Sequence, residues 1–168
     1  MRVDAVIPAR MGSTRYPGKP LVDIEGFSMV EHVYIRTRMS DSVDNTYVAT
    51  PDEEIYDEVE SFGGEAIMTG KHPRATDRVA EAAEGLDSDI VIVMQGDEPL
   101  VYPDMIDAAV RPIVEEDDVR CTNLAKSIET EEDFRDENNV KVVVDNDWNA
   151  LYFSREPVPN LHDATFDE

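Results

Sequence analysis

The sequence has few of the residues that build cross-linked or membrane-spanning proteins. It contains a single cysteine, Cys121, which excludes an internal disulfide framework and a zinc site made of several cysteines. No apolar run approaches the ~20 residues that a membrane-spanning helix needs, and the longest is the short stretch 90–94. Nor is there a charged-then-apolar leader with a small-residue cleavage site. We therefore expect a cytoplasmic protein with no membrane partner.

Positive charge is also scarce. The chain has 15 Lys and Arg against 38 Asp and Glu, a formal net charge of -23, and only four of the cations are lysines. Such a surface repels the backbones of nucleic acids and anionic membranes, so neither is an expected partner. An acidic, lysine-poor surface on a folded core favours a solvent rich in salt, which screens the self-repulsion. A halophilic source is one hypothesis, and an ordinary acidic protein is the alternative.

The chain does have enough apolar material for a core, since 41% of its 168 residues are hydrophobic. Short apolar runs, typical of buried strands, alternate with segments of helical period. The strands are predicted at residues 2–9, 46–50, 66–68 and 88–94, and the helices at 29–39, 52–61, 76–84 and 103–116. Four such alternations favour an α/β fold with a mainly parallel sheet and helices on both faces. Ligands of such folds gather at the carboxyl ends of the strands.

Beyond residue 116 the pattern is weaker. Residues 119–128 and 140–144 are predicted strands, 131–134 a short helix, and 149–154 the hairpin partner of the second strand. Cys121 falls in the first of these strands, where a buried, inert thiol is expected. Residues 160–168 are polar and lack periodicity, which indicates a loose tail.

The loop after the first strand is rich in cations and glycine for so acidic a chain. It contains Arg10, Gly12, Arg15, Gly18 and Lys19. The backbone N–H groups of residues 12–14 could form an anion-binding nest, and the three cations could neutralise a triphosphate. The glycine spacing is neither that of a P-loop nor that of the dinucleotide fingerprint. The alternative is a solvated loop whose arginines pair with surface carboxylates.

The loop after the strongest strand reads Gln95-Gly96-Asp97-Glu98-Pro99. A carboxylate at a strand end, opposite a phosphate-binding loop, suits magnesium, which takes one or two carboxylates plus phosphate oxygens. Asp97 is the candidate ligand, and the alternative is a turn in which it caps a backbone amide. For Glu98 we expect a structural hydrogen bond or salt bridge.

A third stretch, residues 72–78, opens a predicted helix. Its N-terminal amides, together with Arg74 and Arg78, could receive a polar base or a phosphate. In the alternative, Thr76 is only the N-cap and Arg78 only an ion-pair partner.

Five segments match a known family in order and spacing. They read VIPARMGSTRYPGKPL, VATPDEEI, FGGEAIMT, IVIVMQGDEPLV and VKVVVDNDWNALYFSREPVP. From Val3 to Pro159 the chain resembles the CMP-sugar synthetases, a family of cytidylyltransferases. The resemblance implies a Rossmann-like, three-layer nucleotide-diphosphosugar transferase fold. It also implies a reaction of CTP with a 3-deoxy-2-ulosonic sugar acid that yields a CMP-sugar and pyrophosphate, with Mg2+, in a homodimer that serves nucleotide-sugar and lipopolysaccharide biosynthesis.

The same resemblance implies roles for individual residues. Arg10 and Lys19 correspond to phosphate-binding catalytic cations, and Asp97 to the catalytic magnesium ligand. Gln95 corresponds to a residue that faces the sugar acid. The remaining nucleotide contacts correspond to Ala9, Gly12, Ser13, Thr14, Arg15, Thr76 and Arg78.

The sequence departs from the family pattern at two places. Arg74-Ala75-Thr76 stands where the family has Ser-Gly or Thr-Gly, which leaves the base and sugar preference open. The family also continues for roughly 80 residues past the Tyr-Phe-Ser-Arg segment, with a second magnesium carboxylate. We therefore expect residues 1–168 to form a single nucleotidyltransferase domain that lacks this C-terminal part. A nucleotide-binding module without turnover and a nucleotidyltransferase for another sugar are the alternatives.

Overall fold

The computed structural model describes residues 1–12, 16–160 and 166. These residues form two compact units, Met1–Thr122 and Asn123–Glu168, which we describe separately. The expectation of a single nucleotidyltransferase domain therefore stays a prediction. The expected loose tail falls mainly on residues 161–165 and 167–168, which lie outside the described residues.

The first unit alternates strands and helices. Its strands are β1 (Val3–Pro8), β2 (Asp23–Ile24), β3 (Phe27–Ser28), β4 (Asn45–Thr50), β5 (Glu65–Met68) and β6 (Ile90–Val93), and its helices are α1 (Met29–Arg38), α2 (Glu53–Ser61), α3 (Ala75–Ala83) and α4 (Pro103–Glu115). Four strands form a parallel sheet in the order β5-β4-β1-β6, and β2 pairs with β3 in a small antiparallel hairpin. The predicted strands and helices of residues 2–116 are confirmed to within two residues at each end.

The central position of β1 explains why the strand is buried along its whole length. All six of its residues are buried, because β4 and β6 pair with it on both sides and helices cover both faces. Ile7 and Val48 pack against α1, α2 and α4 on one face. Val6 and Ala49 pack against Val79 and other residues of α3 on the opposite face. The result is the helix–sheet–helix arrangement expected from the alternation.

Local signals in the sequence explain where several helices begin and end. The Ser28 hydroxyl caps α1 by accepting a hydrogen bond from the Glu31 amide at 3.4 Å. Pro103 occupies the first turn of α4, where its missing N–H costs nothing. Gly63 follows α2 with a φ of 78°, a conformation that glycine adopts readily.

The second unit contains α5 (Glu131–Arg135), β7 (Lys141–Val144) and β8 (Ala150–Ser154). The two strands form an antiparallel hairpin in which Val142 pairs with Phe153. The predicted hairpin and short helix are confirmed. Lys141 is buried and donates hydrogen bonds to the backbone oxygens of Asp136, Asn139 and Arg155 at 2.6–2.8 Å.

The predicted strand at residues 119–128 is wrong, and so is the expectation of a buried thiol. These residues form no strand, and Cys121 is exposed. Their apolar residues are interrupted by Arg120, Asn123 and Lys126, and no neighbouring strand pairs with them. A strand is stable only when a neighbouring strand pairs with it. The strand propensity of one segment does not provide that partner.

Candidate functional site

The carboxyl edge of the parallel sheet brings together the two loops that sequence reasoning singled out. The Lys19 Nζ donates a hydrogen bond to Asp97 Oδ2 at 2.8 Å, across 78 positions of sequence. Lys19 begins a single 3₁₀ turn, Lys19–Leu21, directly after Gly18, whose φ is 74°. Asp97 follows β6. The pair is partly exposed, so both side chains are accessible to a ligand.

The first loop is closed at its base by backbone hydrogen bonds. The Gly18 amide donates to the Met11 oxygen at 3.1 Å, and the Met11 amide donates to Asp52 Oδ2 at 2.7 Å. Arg10 and Gly12 are exposed on this loop. Ser13 and Thr14, which belong to the expected anion-binding nest, and Arg15, one of the three cations expected to neutralise a triphosphate, lie outside the described residues. Asp52 was missed by sequence reasoning, although an acidic residue two positions after the end of a strand was a usable signal.

The second loop approaches the end of β1 very closely. A Cβ atom on Gly96 would lie 2.7 Å from the Pro8 oxygen and 3.5 Å from Ile7 Cγ2. Only glycine allows this approach, which sets the position of the adjacent Asp97. Gln95 and Glu98 are exposed on either side. The backbone of Glu98 is hydrogen-bonded to Gln95 at 3.3 Å and to Val101 at 3.1 Å, and the structural hydrogen bond or salt bridge expected of its side chain stays a prediction.

Arg78 joins the ends of two strands from beneath the site. Its side chain, 3% exposed, donates hydrogen bonds to the Ala9 oxygen at 3.4 Å and to Thr69 Oγ1 at 3.2 Å. Burial, and then the like charge of Arg10, lowers the pKa of Arg78. The predicted nucleotide-binding residues Ala9 and Arg78 thus lie in contact, with Arg78 turned into the protein.

The third stretch forms the entrance to α3. Arg74 occupies the N-cap position, and Thr76 is exposed in the first turn, so the alternative that Thr76 is the N-cap is wrong. Glu81 of α3 accepts hydrogen bonds from the Gly70 amide at 2.9 Å and from His72 Nε2. The hydrogen bond from His72 is the main cause that lowers the pKa of Glu81. These contacts fix the segment between β5 and α3.

The donor set of the site suits a metal that arrives with a phosphate ligand. Among residues 1–12, 16–160 and 166, no group of three or more His, Cys, Asp or Glu side chains could hold a metal ion. Asp97 and Glu98 offer exposed carboxylates beside Lys19. Magnesium commonly takes one or two carboxylates and completes its shell with phosphate oxygens and water. The residues present therefore fit Mg2+ in complex with a triphosphate.

The site combines exposed cations with a carboxylate at one edge of the sheet. Arg10 and Lys19 can bind phosphate oxygens, Asp97 would hold a divalent cation beside them, and the buried Arg78 adds positive charge. This arrangement can bind a nucleoside triphosphate and stabilise the pyrophosphate that leaves it. In the part of the chain that the structure describes, no helix has the length and apolar character to span a bilayer.

Comparison with known proteins gives consistent results. Residues 5–166 match the model of a family described as cytidylyltransferase. The chain is 51% identical over 164 residues to the 3-deoxy-manno-octulosonate cytidylyltransferase of Geotalea uraniireducens (strain Rf4), a match that covers 97% of this chain and 65% of that protein. It is 51% identical over 163 residues to the enzyme of the same name from Thermodesulfovibrio yellowstonii (strain ATCC 51303 / DSM 11347 / YP87), covering 92% of this chain and 64% of that protein.

A solved structure agrees with these relatives. CMP:2-keto-3-deoxy-manno-octonic acid synthetase complexed with CTP superposes with a TM-score of 0.93 at 38% identity, covering 97% of this chain and 68% of that one. The Rossmann-like nucleotidyltransferase fold expected from the resemblance is confirmed. The chain spans 65% and 64% of the length of the two relatives. It belongs to the cytidylyltransferase family.

Proposed function

We propose that the chain is the nucleotide-binding part of a cytidylyltransferase that activates 3-deoxy-manno-octulosonate with CTP. The observation that carries the proposal is the contact between Lys19 and Asp97, the residues proposed to bind phosphate and magnesium. The names of the relatives described above are the grounds for proposing CTP as the nucleotide and 3-deoxy-manno-octulosonate as the sugar acid. The identity of the sugar acid is the finer part of the proposal, because much of each relative lies beyond the matched region.

The proposed reaction is an in-line displacement at the α-phosphorus of CTP. The anomeric hydroxyl of the sugar acid attacks and releases its proton to solvent, the bond between the α-phosphorus and the bridging oxygen breaks, and pyrophosphate leaves with the electron pair of that bond. Lys19 and Arg10 bind phosphate oxygens and offset the charge that develops on the leaving group. In the proposal, Arg15 contributes further positive charge, and the backbone N–H groups of Gly12, Ser13 and Thr14 bind the phosphates. Asp97, with Glu98 beside it, would hold Mg2+, which supplies charge neutralisation and polarises the phosphate oxygens.

Positioning accounts for the rest of the proposed catalysis. Gln95 lies exposed next to Asp97 and orients the sugar acid, and Thr76 with the start of α3 lies on the nucleoside side. Arg78, being buried, acts on the nucleotide through its field and through Ala9. No covalent intermediate with the protein is needed, because correct alignment of the two substrates supplies much of the rate enhancement.

Calorimetric titration of CTP, with and without magnesium, tests the nucleotide site. Lys19→Ala removes a direct phosphate contact worth ~1.5–3 kcal/mol, so it should weaken CTP binding in both conditions. Asp97→Asn should abolish most of the magnesium dependence, and it should also improve binding of metal-free CTP because it releases Lys19. Lys126→Ala and Asp104→Asn, at exposed positions that belong to neither loop, serve as matched controls.

Two outcomes would overturn this assignment. If Lys19→Ala binds CTP as tightly as the parent, the first loop is not the triphosphate site. If Asp97→Asn keeps the full magnesium dependence, Asp97 is only a turn residue. Pyrophosphate release in the presence of the sugar acid then tests turnover, and CTP binding without such release would indicate a nucleotide-binding module. A screen of other sugars tests the substrate.

The oligomeric state and location complete the proposal. Three consecutive apolar residues of β8, Leu151, Tyr152 and Phe153, are at least half exposed, which supports association of two copies. Light scattering at high salt should report a dimer, and a monomer of 18.9 kDa would contradict this. The cytoplasmic location that we expect from the sequence also stays a prediction.

A further inference from the structure

The phosphate loop is held at one residue, Met11. Its backbone oxygen accepts a hydrogen bond from the Gly18 amide at 3.1 Å, which joins the two sides of the loop. Its backbone amide donates to Asp52 Oδ2 at 2.7 Å, which ties Met11 to the segment that follows β4. The Met11 side chain packs against the main core. Both backbone polar groups and the side chain of Met11 are thereby fixed.

Asp52 occupies the N-cap position of α2 but does not cap the helix. An aspartate at this position ordinarily accepts a hydrogen bond from an amide in the first turn. Here the side chain makes no such bond, and its carboxylate binds Met11 instead. The backbone of Asp52 is fixed separately, because its amide donates to the buried Thr50 Oγ1 at 3.1 Å. The side chain that would ordinarily cap α2 therefore binds a loop residue 41 positions earlier in the chain.

The charge of Asp52 is unfavourable for the function of this loop. A carboxylate at the base of a phosphate-binding loop repels the bound anion, so charge alone does not account for its position. The 2.7 Å hydrogen bond from the Met11 amide does account for it, since an acceptor at this position fixes the start of the loop. The cost is partly offset by Arg78, with which Asp52 interacts favourably.

We infer that Asp52 is a positioning residue for the triphosphate: its carboxylate fixes the Met11 amide and so holds the start of the loop, at Met11 and Gly12, before the nucleotide binds. The inference rests on the proposed function, in which this loop binds the triphosphate of CTP. A loop ordered in advance gives tighter binding because less conformational entropy is lost on association. Asp52 touches no substrate and acts through Met11.

Two substitutions separate the hydrogen bond from the charge. Asp52→Ala removes the acceptor and should weaken binding of magnesium-CTP about tenfold or more, in line with the loss of a hydrogen bond to a charged group. Asp52→Asn keeps an acceptor of the same shape and removes the repulsive charge, so it should bind within about threefold of the parent. Glu53→Gln and Glu53→Ala, on the exposed neighbour in the first turn of α2, are the matched controls and should not change the affinity.

Asp52→Ser separates the loop from the helix. Serine is a good N-cap, so α2 is supported, but its shorter side chain does not reach Met11. This variant should therefore fold with a melting temperature close to that of the parent and still bind magnesium-CTP weakly. Hydrogen exchange of the Met11 amide should be slow in the parent and the Asn variant and fast in the Ala and Ser variants.

The outcomes distinguish this inference from the proposed function. A parent that binds no CTP overturns the proposed function. A parent that binds CTP, together with Ala and Ser variants that bind it equally well, overturns only the role of Asp52. An Asn variant as weak as the Ala variant also overturns it, because the charge would then be the important property. Equal loss on substitution of Glu53 would show an effect of the helix start and not of the Met11 bond.

Discussion

Gly96 is the residue that sets the distance between the second loop and β1. A methyl group at this position would lie 2.7 Å from the Pro8 oxygen, a backbone atom that cannot move aside without displacing the central strand. We predict that Gly96→Ala lowers the free energy of unfolding by ~1–3 kcal/mol, the usual cost of overpacking, and separates Asp97 from Lys19. Denaturant unfolding and CTP titration check the two effects.

Gly85→Ala is the control for this substitution. Gly85 follows α3, has an ordinary φ, and offers a new Cβ only one contact, at 3.8 Å. The Gly85→Ala substitution should leave the free energy of unfolding unchanged or raise it slightly, because alanine lowers the conformational entropy of the unfolded chain. A Gly96→Ala variant that matched the parent in both stability and affinity would show that the close approach is unimportant.

Asp4 makes the free energy of unfolding depend on pH in the acid range. Its side chain is 0% exposed in β1. Burial raises its pKa, but hydrogen bonds from Asn45, Ser88 and Arg2 together outweigh this and hold the pKa below the ordinary value. A depressed folded-state pKa gives stability that is present above the unfolded value of about 3.9 and is lost as pH falls through the folded value.

We predict that Asp4→Asn flattens this acid dependence and costs ~1.5–3 kcal/mol at neutral pH. Urea unfolding between pH 2 and 7 is the measurement. Asp57→Asn, on the exposed face of α2, should change stability by no more than ~0.5 kcal/mol and leave the pH slope intact. Parallel slopes for the parent and Asp4→Asn would contradict the assignment.

At the scale of elements, segment 119–128 differs from what its sequence favours. It forms no strand, and it leaves Cys121 exposed. We predict that the Cys121 thiol of the folded protein reacts with a maleimide at neutral pH, at a rate close to that of the unfolded chain. The single cysteine makes the stoichiometry unambiguous. Protection from the reagent until denaturant is added would show a covered segment.

The elements that sequence predicted correctly are those with local causes. β1 shows a continuous buried run, Ser28 is a cap at the start of α1, and the Asp145 turn joins β7 to β8. The two-residue strands β2 and β3 went unpredicted, because so short a hairpin has no period to detect. The 119–128 error has the opposite cause, since strand propensity was present and a partner strand was not.

Some features of the candidate site were likewise predictable from the sequence, and others were not. The parallel sheet made it predictable that the loops after β1 and β6 would meet, and Lys19 does contact Asp97. Three features depend on contacts between distant segments and were not predictable: the near-collision at Gly96, the inward turn of Arg78 and the bond from Met11 to Asp52. Sequence supplied the residue types, and packing decided which of them face the ligand.

For the whole molecule, charge should control stability. Asp and Glu exceed Lys and Arg by 38 to 15, giving -23, and the folded state confines this charge more than the unfolded state does. Because the Debye length falls from ~10 Å at 0.1 M to ~3 Å at 1 M, we predict a melting temperature that rises between 0.1 and 2 M potassium chloride. A flat or falling curve would contradict the salt-adapted interpretation. Guanidinium is unsuitable for this measurement, because it is itself a salt.

The position of β6 at the edge of the sheet links this charge to the colloidal behaviour of the protein. In the sheet formed by the described residues, one side of β6 has no partner strand, and Val91 and Val93 are 36% and 40% exposed. Such an edge is a template for pairing with another chain. At low ionic strength, mutual repulsion keeps two copies from aligning their edges. Salt strengthens the fold but screens this repulsion between copies. The range of salt concentration in which the protein is both well folded and monodisperse therefore has an upper as well as a lower limit.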